Sequence, residues 1–349
     1  MATIKFCNVG IKAMSACVPS NIAYNKDLTN LLSKEEVTKM IDSVGIEERR
    51  ISPTDVCASD LCYKAAKQLL EDNNIDPASI DILLFSSQTA DYRIPATSCI
   101  LQHRLGLPKS CACIDLSLGC SGYVYALSTA YAYASMQGIN RVLLLDGETF
   151  SKIVSSRDKV NAPLYGDAGT ATLIEKGEHG EAVFILNTDG SGAESVKVPA
   201  GMRCSITPNS CEERECEDGN YRSDLDVFMD GMDVFNFAIS VVPKSIKEIV
   251  KITNSTLNDI DYLIFHQSNK FMTDFFVKRL KFDSTKVPYC ISKYGNTSSA
   301  SIPLTMVSEL HGLLDEEKKI ILCGFGAGLS WGTARIIYKN CTISPIIEY

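Results

Sequence analysis

Three residues able to do chemistry stand where strand-like or turn-like runs end: Cys120 in "LGCSGYVYAL", His266 in "FHQSNK" and Asn296 in "YGNTSSASIP". A free thiol is only slightly ionised at neutral pH, so a nucleophilic cysteine needs a setting that favours the thiolate. The amino end of a helix supplies one, because its unpaired backbone N–H groups and macrodipole favour negative charge. Cys120 falls at such a start, and Gly119 and Gly122 permit a tight turn that a substrate carbonyl can approach closely. A small buried hydrophobe would fit the same neighbours, which leaves the choice open at this residue. His266 follows the apolar run "DYLIF", whereas His103, His179 and His311 sit on helical or loop patterns with charged neighbours. Asn296 follows a glycine, which is a turn signal in its own right.

The elements around these residues alternate in type. "IDILLFSSQ" (80–88), "CACIDLS" (111–117) and "RVLLLDG" (141–147) read as short buried strands. Helical patterns lie at "DVCASDLCYKAAKQLLEDNN" and "GYVYALSTAYAYASM". Near-continuous apolar strands joined by helices predict an α/β protein with a mainly parallel or mixed sheet covered on both faces. The plan then repeats. "SIDILLFSSQ" (79–88) matches "DIDYLIFHQS" (259–268), and "GCSGYVYALSTAYAYASMQGINRVLLLDGE" is paralleled by "GNTSSASIPLTMVSELHGLLDEEKKIILCGFG". This predicts a duplicated unit with halves 1–180 and 181–349, the first holding the cysteine and the second the His and Asn. Cys120 and Asn296 then occupy corresponding turns, and His266 ends the strand matching 80–85. Reactive groups of α/β folds gather at such strand and helix ends, and a pseudo-twofold axis would bring the three together.

The segment "PAGMRCSITPNSCEERECEDGNYRSDL" (199–225) is polar and irregular, and reads as a mobile excursion or lid before a helix at 226–252. Its Cys204, Cys211 and Cys216 lack the close pairing of common zinc sites, so no metal is expected. Cys111 and Cys113, at strand spacing, share a face and read as core. Fourteen cysteines in 349 residues fall below the density of a disulfide scaffold, and the first twenty residues lack a basic head followed by an apolar core. Reduced thiols in a cytoplasm are therefore expected. A net charge of −8 argues against general nucleic-acid binding. Residues 116–140 contain no charge and are long enough to span a bilayer, but they are rich in Ala, Tyr, Ser and Gly. They read as a helix buried at the centre of a large protein, with no membrane span.

With "GFGAGLSWGTA", "VGIEERRI" and "LYGDAGTATLI" added, the three motifs resemble those of ketoacyl-acyl-carrier-protein synthase III, in order and over nearly the whole chain. The resemblance implies the duplicated, five-layered αβαβα thiolase-like fold, a homodimer, and acyl-Cys chemistry at Cys120. It implies decarboxylative condensation with malonyl-acyl carrier protein, with His266 and Asn296 as N–H donors to the developing enolate. The amides of Cys120 and Ala327 would hold the oxyanion of acyl transfer. Neither cofactor nor metal is implied, only acyl-CoA or acyl-carrier-protein substrates. Asn269 matches an Asn that supports the histidine, and Ile94 a residue that reaches the partner subunit's acyl pocket. Lys278 and Arg279 match basic residues that dock the acidic carrier protein. Degradative thiolases exchange the His and Asn positions and add a second cysteine; Cys323 lies one residue from that position and reads as a strand residue.

The sequence departs from the family where the coenzyme A adenine is usually gripped. Lys39, Ser43 and Lys159 stand where Trp, Arg and a further Arg are common, which puts acetyl-CoA in doubt as the primer. Two other activities remain: acyl transfer from Cys120 to an alcohol or amine, and a non-catalytic partner subunit. Loss of the catalytic cysteine would mark the second, and this chain retains it.

Overall fold

Period-two alternation with no polar face sets the architecture. On strand Ile82–Ser86, Ile82 and Leu84 face one way and Leu83 and Phe85 the other, and all four are buried. A strand apolar on both faces needs a layer on each side. Ile82 and Leu84, with Val142 and Leu144 of the neighbouring strand, pack on helices Gly122–Ser135 and Ser301–Leu310. Leu83, Phe85, Leu143 and Leu145 pack instead on helix Ala58–Asp72. A second sheet repeats the division: Ile264, Ile320 and Leu322 face the same two central helices. Leu263, Phe265 and Ile321 face helices Gly231–Ile252 and Lys270–Leu280. The result is the five-layered αβαβα thiolase fold. The uncharged stretch at 116–140 supplies one central helix, and no described helix is long and apolar enough to cross a membrane.

The structure, a computed structural model, describes residues 2–313 and 316–349. Leu314 and Asp315, within the second copy of the expected repeat, lie outside the described residues. The first sheet runs Val9–Val18, Ala168–Lys176, Arg141–Glu148, Ile82–Ser86, Ala112–Leu116. The second runs Ala182–Thr188, Ser330–Tyr338, Lys318–Gly326, Tyr262–Phe265. In both, the first two junctions are antiparallel and the third is parallel. The chain ends cross between the halves. Ala2–Phe6 joins the second sheet beside Ala182–Thr188, and Thr342–Ile343 and Ile347–Glu348 pair with Val9–Val18 of the first. Phe6 thereby meets Tyr131 and Phe184 at ring separations of 5.7 and 5.8 Å. Each such aromatic pair adds roughly 0.5–1.5 kcal/mol beyond its burial.

The 199–225 excursion carries more regular structure than the irregular loop expected. It folds into a short 3₁₀ turn, Pro208–Cys211, and a hairpin of Arg214–Glu215 with Tyr221–Arg222. Arg222 is buried and donates to Asp158 at 2.7 Å while also pairing with Asp218. Ser155 Oγ donates to Glu213, Lys159 N to Asn220 Oδ1, and Arg157 stacks on Tyr221. Arg214 pairs with Asp224 as well, while Arg203, Glu212 and Glu217 stay exposed. The following helix begins at Gly231, because Phe228–Met229 first forms a two-residue ladder with Val196–Lys197.

Candidate active site

Cys120 lies just ahead of helix Gly122–Ser135, on a turn closed by Gly122 N donating to Gly119 O at 2.6 Å. The strand Lys318–Gly326 crosses directly over it. A Cβ on Gly326 would sit 2.9 Å from Cys120 Sγ, and one on Gly324 would sit 3.0 Å from Cys120 O. Only glycines admit that approach, which is why the strand ends "GFGAG". The amide N–H groups of Ala327 and of Cys120 itself act on the sulfur and favour the thiolate, as does the Ser298 hydroxyl. Burial outweighs them and pushes the thiol up to about 11. The acidified resting thiol expected from the helix start is therefore corrected: the group rests protonated, and its amide donors act once negative charge has formed.

The turn 296–301 ties the other two residues to the cysteine. Ser298 Oγ lies 3.9 Å from Cys120 Sγ, and Ser298 N donates to Asn296 Oδ1 at 2.9 Å. With its oxygen so engaged, the Asn296 amide presents its NH₂ as the free donor. The backbone of Asn296 is clamped by Leu164 O and Gly166 N, in the motif "LYGDAG". His266 begins where Tyr262–Phe265 ends, its amide bonded to Cys323 O at 2.8 Å and its ring edge-on to Phe325. Its Nδ1 lies 2.7 Å from Ser301 Oγ, and Ser301 in turn lies 2.8 Å from Ser298 O. Burial depresses the imidazole to about 3, so it is neutral throughout the working range.

Sequence reasoning missed Glu148, which closes the site from below. Its carboxylate accepts from Ser87 Oγ, the amides of Gln88 and Thr89, Thr89 Oγ1 and Ser299 Oγ. It joins the strand-end turn of the first half to the turn that holds Asn296. Burial raises Glu148 to about 7 and Asp146, two residues earlier on the same face, to about 8. Two acids at the end of the otherwise apolar "VLLLDGE" were the available signal. Beside Ala327 opens a recess of about 230 Å³, walled by Phe150, Ile153, Val196 and Val227 with Gln88 at one side.

The remaining expected residues lie further out. Ile94, on the loop after Ile82–Ser86, is 87% exposed. Lys278 and Arg279 project from helix Lys270–Leu280 into solvent. Asn269 caps that helix through Met272 N, so it anchors the segment after His266, while the imidazole itself is held by Ser301. Lys39 and Lys159 both lie near Glu36, whose carboxyl is held below its ordinary value first by Ser33 and then by these lysines. Cys323 is buried in its strand, against the outer helices of the second half.

A five-layered duplicated fold, with a cysteine at a central helix end and a neutral histidine and an asparagine on the matching turns, defines a condensing enzyme of the thiolase superfamily. The comparisons narrow the class. Residues 114–191 match the family model 3-Oxoacyl-[acyl-carrier-protein (ACP)] synthase III, and residues 251–338 match its C-terminal model. A putative 3-oxoacyl-[acyl-carrier-protein] synthase 3 of Campylobacter jejuni is 34% identical over 99% of this chain and 98% of its own. A beta-ketoacyl-[acyl-carrier-protein] synthase III of Caldanaerobacter subterraneus is 34% identical over 95% and 98%. The crystal structure of a 3-oxoacyl-(acyl-carrier protein) synthase from Burkholderia xenovorans superposes with a TM-score of 0.94 at 35% identity, covering 100% of this chain and 99% of that one. This chain belongs to the 3-oxoacyl-acyl-carrier-protein synthase III family.

Proposed function

We propose that the protein is an acyltransferase that condenses an acyl thioester primer with malonyl-acyl carrier protein through an acyl-Cys120 intermediate. The observation that carries this is the pairing, at one cysteine, of two amide donors with a neutral His266 and an NH₂-presenting Asn296. In the first half-reaction Cys120 Sγ bonds to the acyl carbon, the carbon–sulfur bond of the donor breaks, and the thiol proton passes to the departing thiolate. The amides of Cys120 and Ala327 stabilise the oxyanion. In the second, malonyl thioester loses carbon dioxide and the electron pair enters the enolate, whose oxygen accepts from His266 and Asn296. The enolate carbon attacks the acyl group, the Cys120 carbon–sulfur bond breaks, and the thiolate takes a proton from solvent. A resting thiol pushed to about 11 is consistent with that last step. Neutral donors suit the task, since they need not lose a proton to stabilise developing charge.

The recess beside Ala327, lined by Phe150, Ile153 and Val227 but also by Ser117 and Lys197, receives the acyl chain, and Ile94 of one protomer closes that of its partner in a homodimer. Lys278 and Arg279 steer the acidic carrier protein. The enzyme uses no resident cofactor or metal and works in the cytoplasm, in keeping with fourteen unpaired cysteines. The test is intact-mass analysis after exposure to a panel of acyl-CoA and acyl-carrier-protein donors. A mass gain that Cys120→Ala abolishes, followed by a β-ketoacyl product when malonyl carrier protein is added, is expected. Folded protein that no donor labels overturns the nucleophile; labelling followed by transfer to an alcohol or amine, with no chain extension, overturns the condensation.

A further inference from the structure

A neutral imidazole holds one proton between two ring nitrogens, so the partner at Nδ1 decides whether Nε2 is a donor or a bare acceptor. At His266 that partner is Ser301 Oγ, 2.7 Å from Nδ1. The same hydroxyl lies 2.8 Å from Ser298 O and accepts the amide N–H of Gln267 at 3.3 Å. It has one proton and two candidate acceptors. Ser298 O already receives the amide N–H of Ser301, so it is paired without the hydroxyl. Nδ1 is buried, and a buried ring nitrogen left unpaired costs free energy. The Ser298 carbonyl also acts on the imidazole, as an acceptor, and on the far side the ring meets the edge of Phe325; neither offers a proton.

We propose that Ser301 is a positioning residue: it donates its hydroxyl proton to Nδ1 and so holds His266 as the tautomer with N–H at Nε2. The consequence rests on the condensation reading; the tautomer rests on geometry alone. An Nε2–H meets the enolate oxygen as a donor, whereas a bare Nε2 would set one acceptor against another. No proton leaves His266 in the step. The malonyl carbon–carbon bond breaks, its electron pair enters the enolate, carbon dioxide departs, and the N–H only hydrogen-bonds.

The experiment is ¹⁵N-histidine NMR of the full-length protein, with the His266 signal identified by its loss in His266→Ala. Four histidines keep the spectrum tractable. The expected result is a protonated Nε2 in the natural protein and in Ser301→Thr, which keeps the hydroxyl. In Ser301→Ala the proton moves to Nδ1, and carbon dioxide release from malonyl carrier protein falls by roughly tenfold or more beyond any change in Cys120 acylation, part of the loss seen when an oxyanion donor is removed outright. A bare Nε2 in the natural protein, or an unchanged tautomer in folded Ser301→Ala, overturns the proposal. A protonated Nε2 in a protein that releases no carbon dioxide from any malonyl thioester sinks the condensation reading and leaves the tautomer assignment standing.

Discussion

Cys120 and His266 are both shifted by burial, in opposite directions, and both shifts keep the group neutral at rest. The thiol is pushed up to about 11 and the imidazole down to about 3. The reacting thiol and imidazole therefore meet substrate uncharged, and the dipoles around them point at positions where charge forms later. That arrangement divides the two half-reactions between residues. His266→Ala is expected to lower carbon dioxide release by roughly 10²–10³-fold, the usual loss for one oxyanion donor, while acyl-Cys120 still forms. Equal loss of both steps would place the histidine in acyl transfer instead. The pH profile gives a second check. With the imidazole depressed to about 3, carbon dioxide release has no acid limb near pH 6.5 from this group. An acid limb there that vanishes in His266→Ala contradicts a neutral buried ring.

At the scale of elements, the strands written as unbroken apolar runs were legible. The expected 80–88, 111–117 and 141–147 appear as Ile82–Ser86, Ala112–Leu116 and Arg141–Glu148, the first two shorter and the third one residue longer. Cys120 and Asn296 were placed on matching turns because the repeat preserved the small residues that open each central helix. The hairpin and turn within 199–225 were not legible, for a physical reason. The segment's charges carry no periodicity, and partners such as Asp158 with Arg222 are too far apart in sequence to pair on paper. Arg222 and Asp158 side chains are only 6% and 1% exposed, so removing one leaves a buried charge unpaired. Arg222→Met is expected to cost about 3–5 kcal/mol locally, the usual penalty for breaking a buried pair from one side. Limited trypsinolysis reads it: cleavage at Arg203 or Arg214 should be rapid in the variant and slow in the natural protein. Equal resistance of the two would show that the hairpin is held by something other than this pair.

At the scale of the whole molecule, the crossing of the chain ends was hidden from the sequence. Ala2–Phe6 and the short strands near the C-terminus are too brief to show which sheet they complete, and only the folded halves supply their partners. The same packing encloses three titratable groups whose effects on stability oppose one another. His266 is depressed from its ordinary 6.5 to about 3, so the unfolded chain binds the extra proton between those values and stability rises with pH there. Asp146 is raised from 3.8 to about 8 and Glu148 from 4.5 to about 7, so the folded chain binds the extra protons and stability falls with rising pH. Below pH 6.5 the histidine offsets part of the loss from the acids. Above it the acids act alone, at roughly 1.4 kcal/mol per pH unit for each group in transition. Urea unfolding of the natural protein at pH 6.5, 7, 7.5 and 8 should therefore show a declining midpoint. Asp146→Asn keeps the shape and removes the charge, and its midpoint should decline much less between pH 7 and 8, where only the remaining ionisation of Glu148 acts. A decline as steep in Asp146→Asn as in the natural protein would mean that the buried aspartate ionises at its ordinary value, and that the interior tolerates its charge.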